Sequence, residues 1–332
     1  GYSPSMRESR EQQIINILSA QLRLHRQPFP LDDVALIDLG KANRPRLLAL
    51  KCDMLVGSTD IPPAMSPWQV ARKSIVSCVS DFAAKGLVPS ACMLSLGLPR
   101  SISLHTIKEL THGFKRASKE FRINFIGGDT NHSNEFTIDC SMFGYSNLPI
   151  SAIPAQSGAK PGDIIVTSGV FGQTAAGLMI VLNNARAKRR IKAKFTSSVM
   201  VPKPRLKFGI HLRKYLSSSI DSSDGLASSL YRLAIRSNVD FQVERIPIAP
   251  GIAEFATDNR IGSEELVMYG GEEFEIVGTI PLGRLRRARQ KAASERLKLI
   301  EIGKVSKGSG KVFLNRYGDI PKELENRGYS DL

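Results

Sequence analysis

The chain has 332 residues, 42% of them hydrophobic and 23% charged, a soluble globular balance that excludes a disordered protein. This length supports two ordinary domains, each with its own core. Lys and Arg outnumber Asp and Glu by 46 to 31, leaving +15 at pH 7, so anionic partners are expected. The cysteines (Cys52, Cys78, Cys92 and Cys140) are far apart, with no Cys-x-x-Cys pair. That spacing speaks against a zinc site or a disulfide framework and for reduced, buried thiols. The opening GYSPSMRESREQQIINIL lacks the apolar core and small-residue cleavage site of a signal peptide, so a cytoplasmic location is expected.

In chain order, Arg7 to Arg26 has helical periodicity, and DDVALIDL and RLLALKCDMLV read as two strands joined by a polar turn. SPWQVARKSIVSCVSDFAAKGL predicts a helix capped at Ser66, with Pro67 in its first turn. SACMLSLGLP is a strand and LHTIKELTHGFKRASKEF an amphipathic helix. INFIGGDTN reads as a strand ending in a double-glycine turn, and EFTIDCSMFGYS as another strand. Residues 150–163, rich in Pro, Gly and Ala, look like a connection between residues 1–150 and 151–332. The uncharged stretch Ile164–Leu182 is long enough for a membrane span, but its glycines divide it into strand, turn and helix, so no membrane partner is expected. The basic run NNARAKRRIKAKF predicts a solvated, mobile loop; it lacks aromatic stacking residues, so no nucleic-acid partner is expected. A helix at 204–216, strands near 239–248 and 271–280, a basic helix near 284–298 and two final strands complete a mixed α/β (α+β) pattern.

Aspartates beside glycine or small residues form a series: Asp32 and Asp33 in PLDDVAL, Asp53 in KCDML, Asp81 in SDFAAKG, Asp129 in GGDTN, and Asp221 and Asp224 in DSSDGL. Glu272 and Glu273 in GGEEFEI join them. Magnesium takes hard oxygen ligands together with substrate phosphates, so several aspartates could serve Mg-ATP. Gly127 and Gly128 would let backbone amides approach phosphate. Taken singly the pieces have plainer readings, and DSSDGL alone reads as a helix N-cap.

The order LDDVAL, CDMLV, SDFAAKGLVPSACMLSLGLP, FIGGDT, SGAKPGDIIVTSG, IDSSDGL, YGGEEFEI, GYSDL resembles the thiamine-monophosphate kinase family over nearly the whole chain. That family lies in the superfamily of aminoimidazole ribonucleotide synthetase, hydrogenase maturation factor E and selenophosphate synthetase. DMLVGSTDIPP leans to its archaeal branch. The resemblance implies a two-domain fold: an N-terminal mixed-sheet domain that forms a homodimer, and a C-terminal α/β domain completing a cleft for Mg2+ and ATP. It implies phosphoryl transfer from ATP to thiamine monophosphate, without a dedicated catalytic residue. By motif, Asp32, Asp53, Asp81, Asp129, Asp221 and Asp224 would be magnesium ligands, and Gly128, Asp129 and Ser223 would bind ATP. Asp60, Glu272 and Tyr329 would hold the thiamine substrate.

The chain also departs from the family pattern. Leu31 replaces a glycine, Lys51-Cys52 replaces a hydroxyl pair, Asp60 stands where bacterial members have histidine, and Gln156 replaces an ATP-contacting arginine. Lys51 and Lys160 are the cations that would compensate. Two alternatives stay open: another ATP-dependent enzyme of the superfamily with a different acceptor, and a catalytically weak nucleotide- or RNA-binding protein.

Overall fold

The computed structural model describes residues 10–22, 28–40, 46–315 and 320–328. Helix α1 (Arg10–Gln21) precedes strands β1 (Ala35–Asp38) and β2 (Leu47–Val56), the one-turn helix α2 (Gly57–Asp60) and the long helix α3 (Pro67–Lys85). Strand β3 (Ala91–Leu98), helix α4 (Leu104–Phe121), and strands β4 (Asn124–His132) and β5 (Thr137–Ser146) follow. These strands form one five-stranded sheet in the order β1-β2-β5-β3-β4, in which only the β3–β4 pair is parallel.

The second half opens with β6 (Ile164–Thr167), α5 (Gln173–Asn183), α6 (Arg189–Met200) and α7 (Leu206–Leu212). It continues through β7 (Ser218–Ser222), α8 (Leu226–Ser237), β8 (Val239–Val243), α9 (Ile252–Asp258) and α10 (Ser263–Tyr269). Last come β9 (Glu275–Ile280), α11 (Leu282–Ser294), β10 (Ile300–Lys307), β11 (Val312–Leu314) and β12 (Lys322–Glu323). Their strands make a seven-stranded mixed sheet, ordered β12-β11-β8-β10-β6-β9-β7. Among the described residues, no helix is long and apolar enough to cross a membrane.

Helix α3 starts as its sequence predicts. The Ser66 amide donates to Gln69 Oε1 at 2.9 Å, and Pro67 takes the first helical position, where no N–H is needed. The helix ends at Gly86, whose φ of 63° suits a residue without a β-carbon. One side of α3 packs Ile75, Val79 and Phe82 against Ile138, Cys140 and Met142 of the first sheet. On another side Ala83 joins Phe208, Leu212 and Ile276 of the second half. A third cluster, built on Phe195, Phe241, Phe255 and Leu230, fills the far face of the seven-stranded sheet.

Three expectations change. Strand β4 does not stop at Gly127 and Gly128 but runs through them, with a register shift opposite Cys92 and Met93 absorbing the extra residue. A β-carbon on Gly128 would collide with the Leu94 carbonyl oxygen, so strand packing alone requires that glycine. The basic run is not all loop, since α6 begins at Arg189. Phe195, in the C-terminal core, and the buried Val199 four residues on lie on one side of the helix and leave its basic residues on the other. DSSDGL does not cap a helix through its aspartates: the N-cap of α8 is Gly225, and no side chain bonds to it.

Helices α3 and α7 approach so closely that a β-carbon on Gly209 would overlap the carbonyl oxygen of Ala83. Gly209→Ala is therefore expected to lower stability by about 1–3 kcal/mol, read as a lower urea midpoint. An unchanged midpoint would show that contact to be slack.

Candidate active site

Between Val70 and Lys85 every residue of α3 except Ser77 is buried, yet this stretch carries Arg72, Lys73, Asp81 and Lys85, all 5% exposed or less. Buried charge is tolerated only with partners. Arg72 forks onto Glu120 at 2.8 and 2.9 Å and donates to the Pro202 carbonyl at 2.7 Å. Lys73 Nζ lies 2.7 Å from Glu272 Oε1 and donates to the Asp60 carbonyl, also at 2.7 Å. Lys85 Nζ lies 2.6 Å from Asp32 Oδ1 and 2.8 Å from Asp33 Oδ2, and donates to the carbonyls of Ser219 and Pro154. Three of these four side chains reach across to the second half of the chain.

One turn before Lys85, Asp81 meets Asp33 and Asp221, and one oxygen of each lies within 4.8 Å of the others. Gln156 sets Asp32 and Asp33: its amide N–H donates to Asp32 Oδ2 at 2.8 Å and its Nε2 to Asp33 Oδ1 at 2.7 Å. Asp33 Oδ2 faces the Lys85 ammonium. Ser80 Oγ donates to Asp221 Oδ2 at 3.0 Å, and Lys51 Nζ lies 3.0 Å from Asp81 Oδ2. Burial, then repulsion from Asp33, pushes Asp221 up to about 7. Burial and the Asp221 charge hold Asp81 well above the usual carboxylate range. Burial alone would lower Lys51, but Asp81, Asp53 and Asp221 more than offset it and keep it charged. The group opens on a cavity of about 100 Å³ that Lys51, Ser223, Asp224 and Arg232 also line.

Lys51 and Lys85 do not fully balance this cluster: three carboxyl oxygens converge, and burial and mutual repulsion drive all three carboxyls toward protonation. Hard oxygen donors in this arrangement fit a divalent cation such as Mg2+.

The expected site residues divide by place. Asp81 and Asp221 are in the converging group, but the third member is Asp33, while Asp32 turns to Lys85 and Gln156 on the cavity wall. Asp224 and Ser223 are exposed at the rim. Asp53 lies outside the group; burial raises it, with Lys51 opposing and Asp60 and Asp139 reinforcing. Asp60 and Glu272 are joined through Lys73. Gly128 and Asp129 are exposed on edge strand β4. Asp129 pairs with Ser95, which pairs with Asp139, on the sheet face that α3 and α4 leave open. One chain thus does not bring Asp129 to the triad. Tyr329 lies outside the described residues. Of the two compensating lysines, Lys51 is at the acidic cavity, whereas Lys160 lines a separate one.

GGEEFE assigns its glutamates three tasks. Glu272, with φ of 57°, donates its amide to the Ser223 carbonyl at 2.6 Å and turns its carboxylate to Lys73. Glu273 accepts from the amides of Gly172 and Thr174 at the start of α5, and burial pushes it up to about 7. Glu275 pairs with Arg205 and accepts from Ser168.

Lys73 and Lys85 escape the sequence reading as site residues, and Asp33, part of the acidic series, is passed over for Asp32 in the expected ligand set. A signal existed for the lysines: Lys73, Asp81 and Lys85 are spaced by whole turns of one helix, eight and four residues apart. No signal ranked Asp33 above Asp32, because a bend rather than strand alternation decides which of two adjacent aspartates enters the cluster.

Residues 31–146 match the family described as AIR synthase related protein, N-terminal domain. Similar proteins include the thiamine-monophosphate kinase of Nitrosopumilus maritimus, 40% identical over 84% of this chain and 87% of its own. That of Pyrococcus abyssi is 31% identical over 97% and 96%. The crystal structure of thiamine-monophosphate kinase from Stenotrophomonas maltophilia superposes with a TM-score of 0.73 at 26% identity, covering 92% of this chain and 95% of that one. AaThiL complexed with AMPPCP and TMP shares the fold, with a TM-score of 0.81 at 24% identity over 98% and 99% of the two chains.

Two measurements probe this electrostatic arrangement. Lys85→Met leaves Asp32 and Asp33 buried without their cation and is expected to cost roughly 3–5 kcal/mol near neutral pH; a loss under 1 kcal/mol would mean that the ion pair is dispensable. For Asp221, the folded value of about 7 exceeds the unfolded 3.8, so the metal-free folded chain holds a proton that the unfolded chain has released. Metal-free stability should therefore fall as pH rises from about 4 to about 7 and then level off. Urea melts in chelator are expected to show that decline flattened in Asp221→Asn, and an unaltered slope would contradict it.

Proposed function

The chain belongs to the thiamine-monophosphate kinase family and is a phosphotransferase, and we propose that it transfers the γ-phosphoryl group of ATP to thiamine monophosphate in the Asp33–Asp81–Asp221 cleft. The convergence of three buried carboxylates beside a charged lysine carries this reading. Asp33, Asp81 and Asp221 would hold Mg2+, with Asp32, Asp53 and Asp224 flanking as further ligands. When bound, the ion neutralises phosphate charge in the transition state.

The chain's own residues do the positioning that phosphoryl transfer chiefly needs. Lys51 and Arg232 bring positive charge to the cavity wall, where two polyanions must meet. Lys51 would stand in for the missing hydroxyl pair and for the arginine replaced by Gln156. Gln156 instead orients Asp32 and Asp33. Ser223, at the rim, would touch ATP. Lys73 would fix Asp60 and Glu272 for the thiamine end, with Tyr329 stacking on the cationic heterocycle. The acceptor is a phosphate oxygen, already anionic at neutral pH, so no general base is required.

We also infer a cytoplasmic homodimer, with residues 1–150 forming the ATP- and Mg-binding and dimerising domain and 151–332 the domain that completes the cleft. The open face of the first sheet exposes Met54, Met93 and Tyr145, side chains suited to burial against a second copy. Dimerisation there would let Gly128 and Asp129 of one protomer serve the other's phosphates.

In an assay with ATP, Mg2+ and thiamine monophosphate, the protein is expected to form thiamine diphosphate, and Asp221→Asn to reduce turnover by about a hundredfold or more. If Asp129 serves the partner's site, mixing inactive Asp129→Asn and Asp221→Asn subunits restores about a quarter of wild-type sites in a two-fold dimer. Absence of thiamine diphosphate despite ATP turnover would overturn the acceptor assignment. Failure to complement would place Asp129 in its own protomer's site or outside catalysis.

A further inference from the structure

We propose that a second cleft, between the connecting segment and the start of α11, is an anion site for a di- or triphosphate group, distinct from the acidic cavity. Its volume is about 370 Å³, within the range of roughly 300–1,000 Å³ usual for small-molecule sites. Lys160, Arg213, Lys214 and Arg284 line it, and no carboxylate does. Among the described residues, none of these four cations has a carboxylate within the 4.0 Å of an ion pair. A protein gathers unpaired cations at a cleft only against repulsion, which an anionic occupant removes.

Two further features add to the positive field of the cleft. Arg213 donates through Nη1 to the Ile210 carbonyl at 2.8 Å, but its Nε is buried without any acceptor. Main-chain contacts thus hold Arg213 at the cleft wall with its charge uncompensated by any carboxylate. Pro281 and Arg284 belong to the cap and first turn of the 13-residue helix α11, so the positive end of its dipole borders the same space.

The connecting segment forms a wall of both cavities. Pro154 and Gln156 reach Lys85 and Asp32 on one side, while Pro154, Gly158 and Lys160 border the basic cleft on the other. An anion in the cleft would therefore sit behind the segment that orients the acidic site.

The proposal does not rest on the kinase reading, and chelator separates the two sites. Without a divalent ion the acidic cavity repels polyphosphate, whereas the basic cleft still attracts it. Isothermal titration of the full chain with tripolyphosphate in EDTA at low ionic strength is expected to show one site per chain, weakening as salt is added. Arg284→Glu combined with Lys214→Glu should weaken that binding at least tenfold while thiamine diphosphate formation is retained. Asp221→Asn should leave it unchanged. Should the double variant misfold, Arg284→Gln alone is expected to weaken binding measurably. No binding in EDTA, equal binding by a folded double variant, or loss of binding in Asp221→Asn would each overturn the proposal.

Discussion

A helix buried on nearly every side can carry charge only if the rest of the chain brings counter-charge to it, and α3 carries four such groups. Each ion pair fixes more than one element. Lys85 ties the β1 approach, the connecting segment and β7 to a single ammonium. Lys73 joins α2 to the GGEEFE loop. The cluster around Asp81 is thus assembled from both sheets, because the helix between them cannot be buried until both contribute. Burial also explains why that cluster is chemically poised: carboxylates that cannot reach water either keep a proton or attract a cation.

The loops that complete the cluster adopt backbone conformations that ordinary residues avoid. Leu31 has φ of 55°, Glu272 of 57° and Phe274 of 52°, all in the left-handed region. Each costs on the order of 1 kcal/mol for a residue with a β-carbon. Arg236 offsets the first by donating to the carbonyls of Pro30 and Leu31, at 3.0 and 2.7 Å. Amide bonds from Glu272 and Phe274 to the carbonyls of Ser223 and Ser222 hold the other two. Leu31, at the position where the family pattern has glycine, thus adopts a left-handed conformation with outside support.

Much of the fold was legible because local signals agreed with it. Ser66-Pro67 announced α3, and the glycines within Ile164–Leu182 separated β6 from α5. The errors came where tertiary contact decided. Gly127-Gly128 reads as a turn until the neighbouring strand is seen to need the space. The run NNARAKRRIKAKF (183–195) reads as a solvated loop until Phe195 is placed in the core. In the site, Asp81 and Asp221 stood out as acids among small residues. The choice of Asp33 over Asp32 depended on a bend and on Gln156, 123 residues further along the chain. Lys73 and Lys85 were readable in principle, since a helix predicted to be buried must account for every charge it bears.

The ion pairs of α3 also bear on the order in which the protein is made. Asp32 and Asp33, the carboxylate partners of Lys85, leave the ribosome before it, whereas Glu272, the carboxylate partner of Lys73, follows Lys73 by 199 residues. Until Glu272 emerges, Lys73 has no counter-charge for burial on the inner face of the helix. Completion of that buried helix therefore waits for the same half of the chain that supplies Asp221 to the acidic cleft.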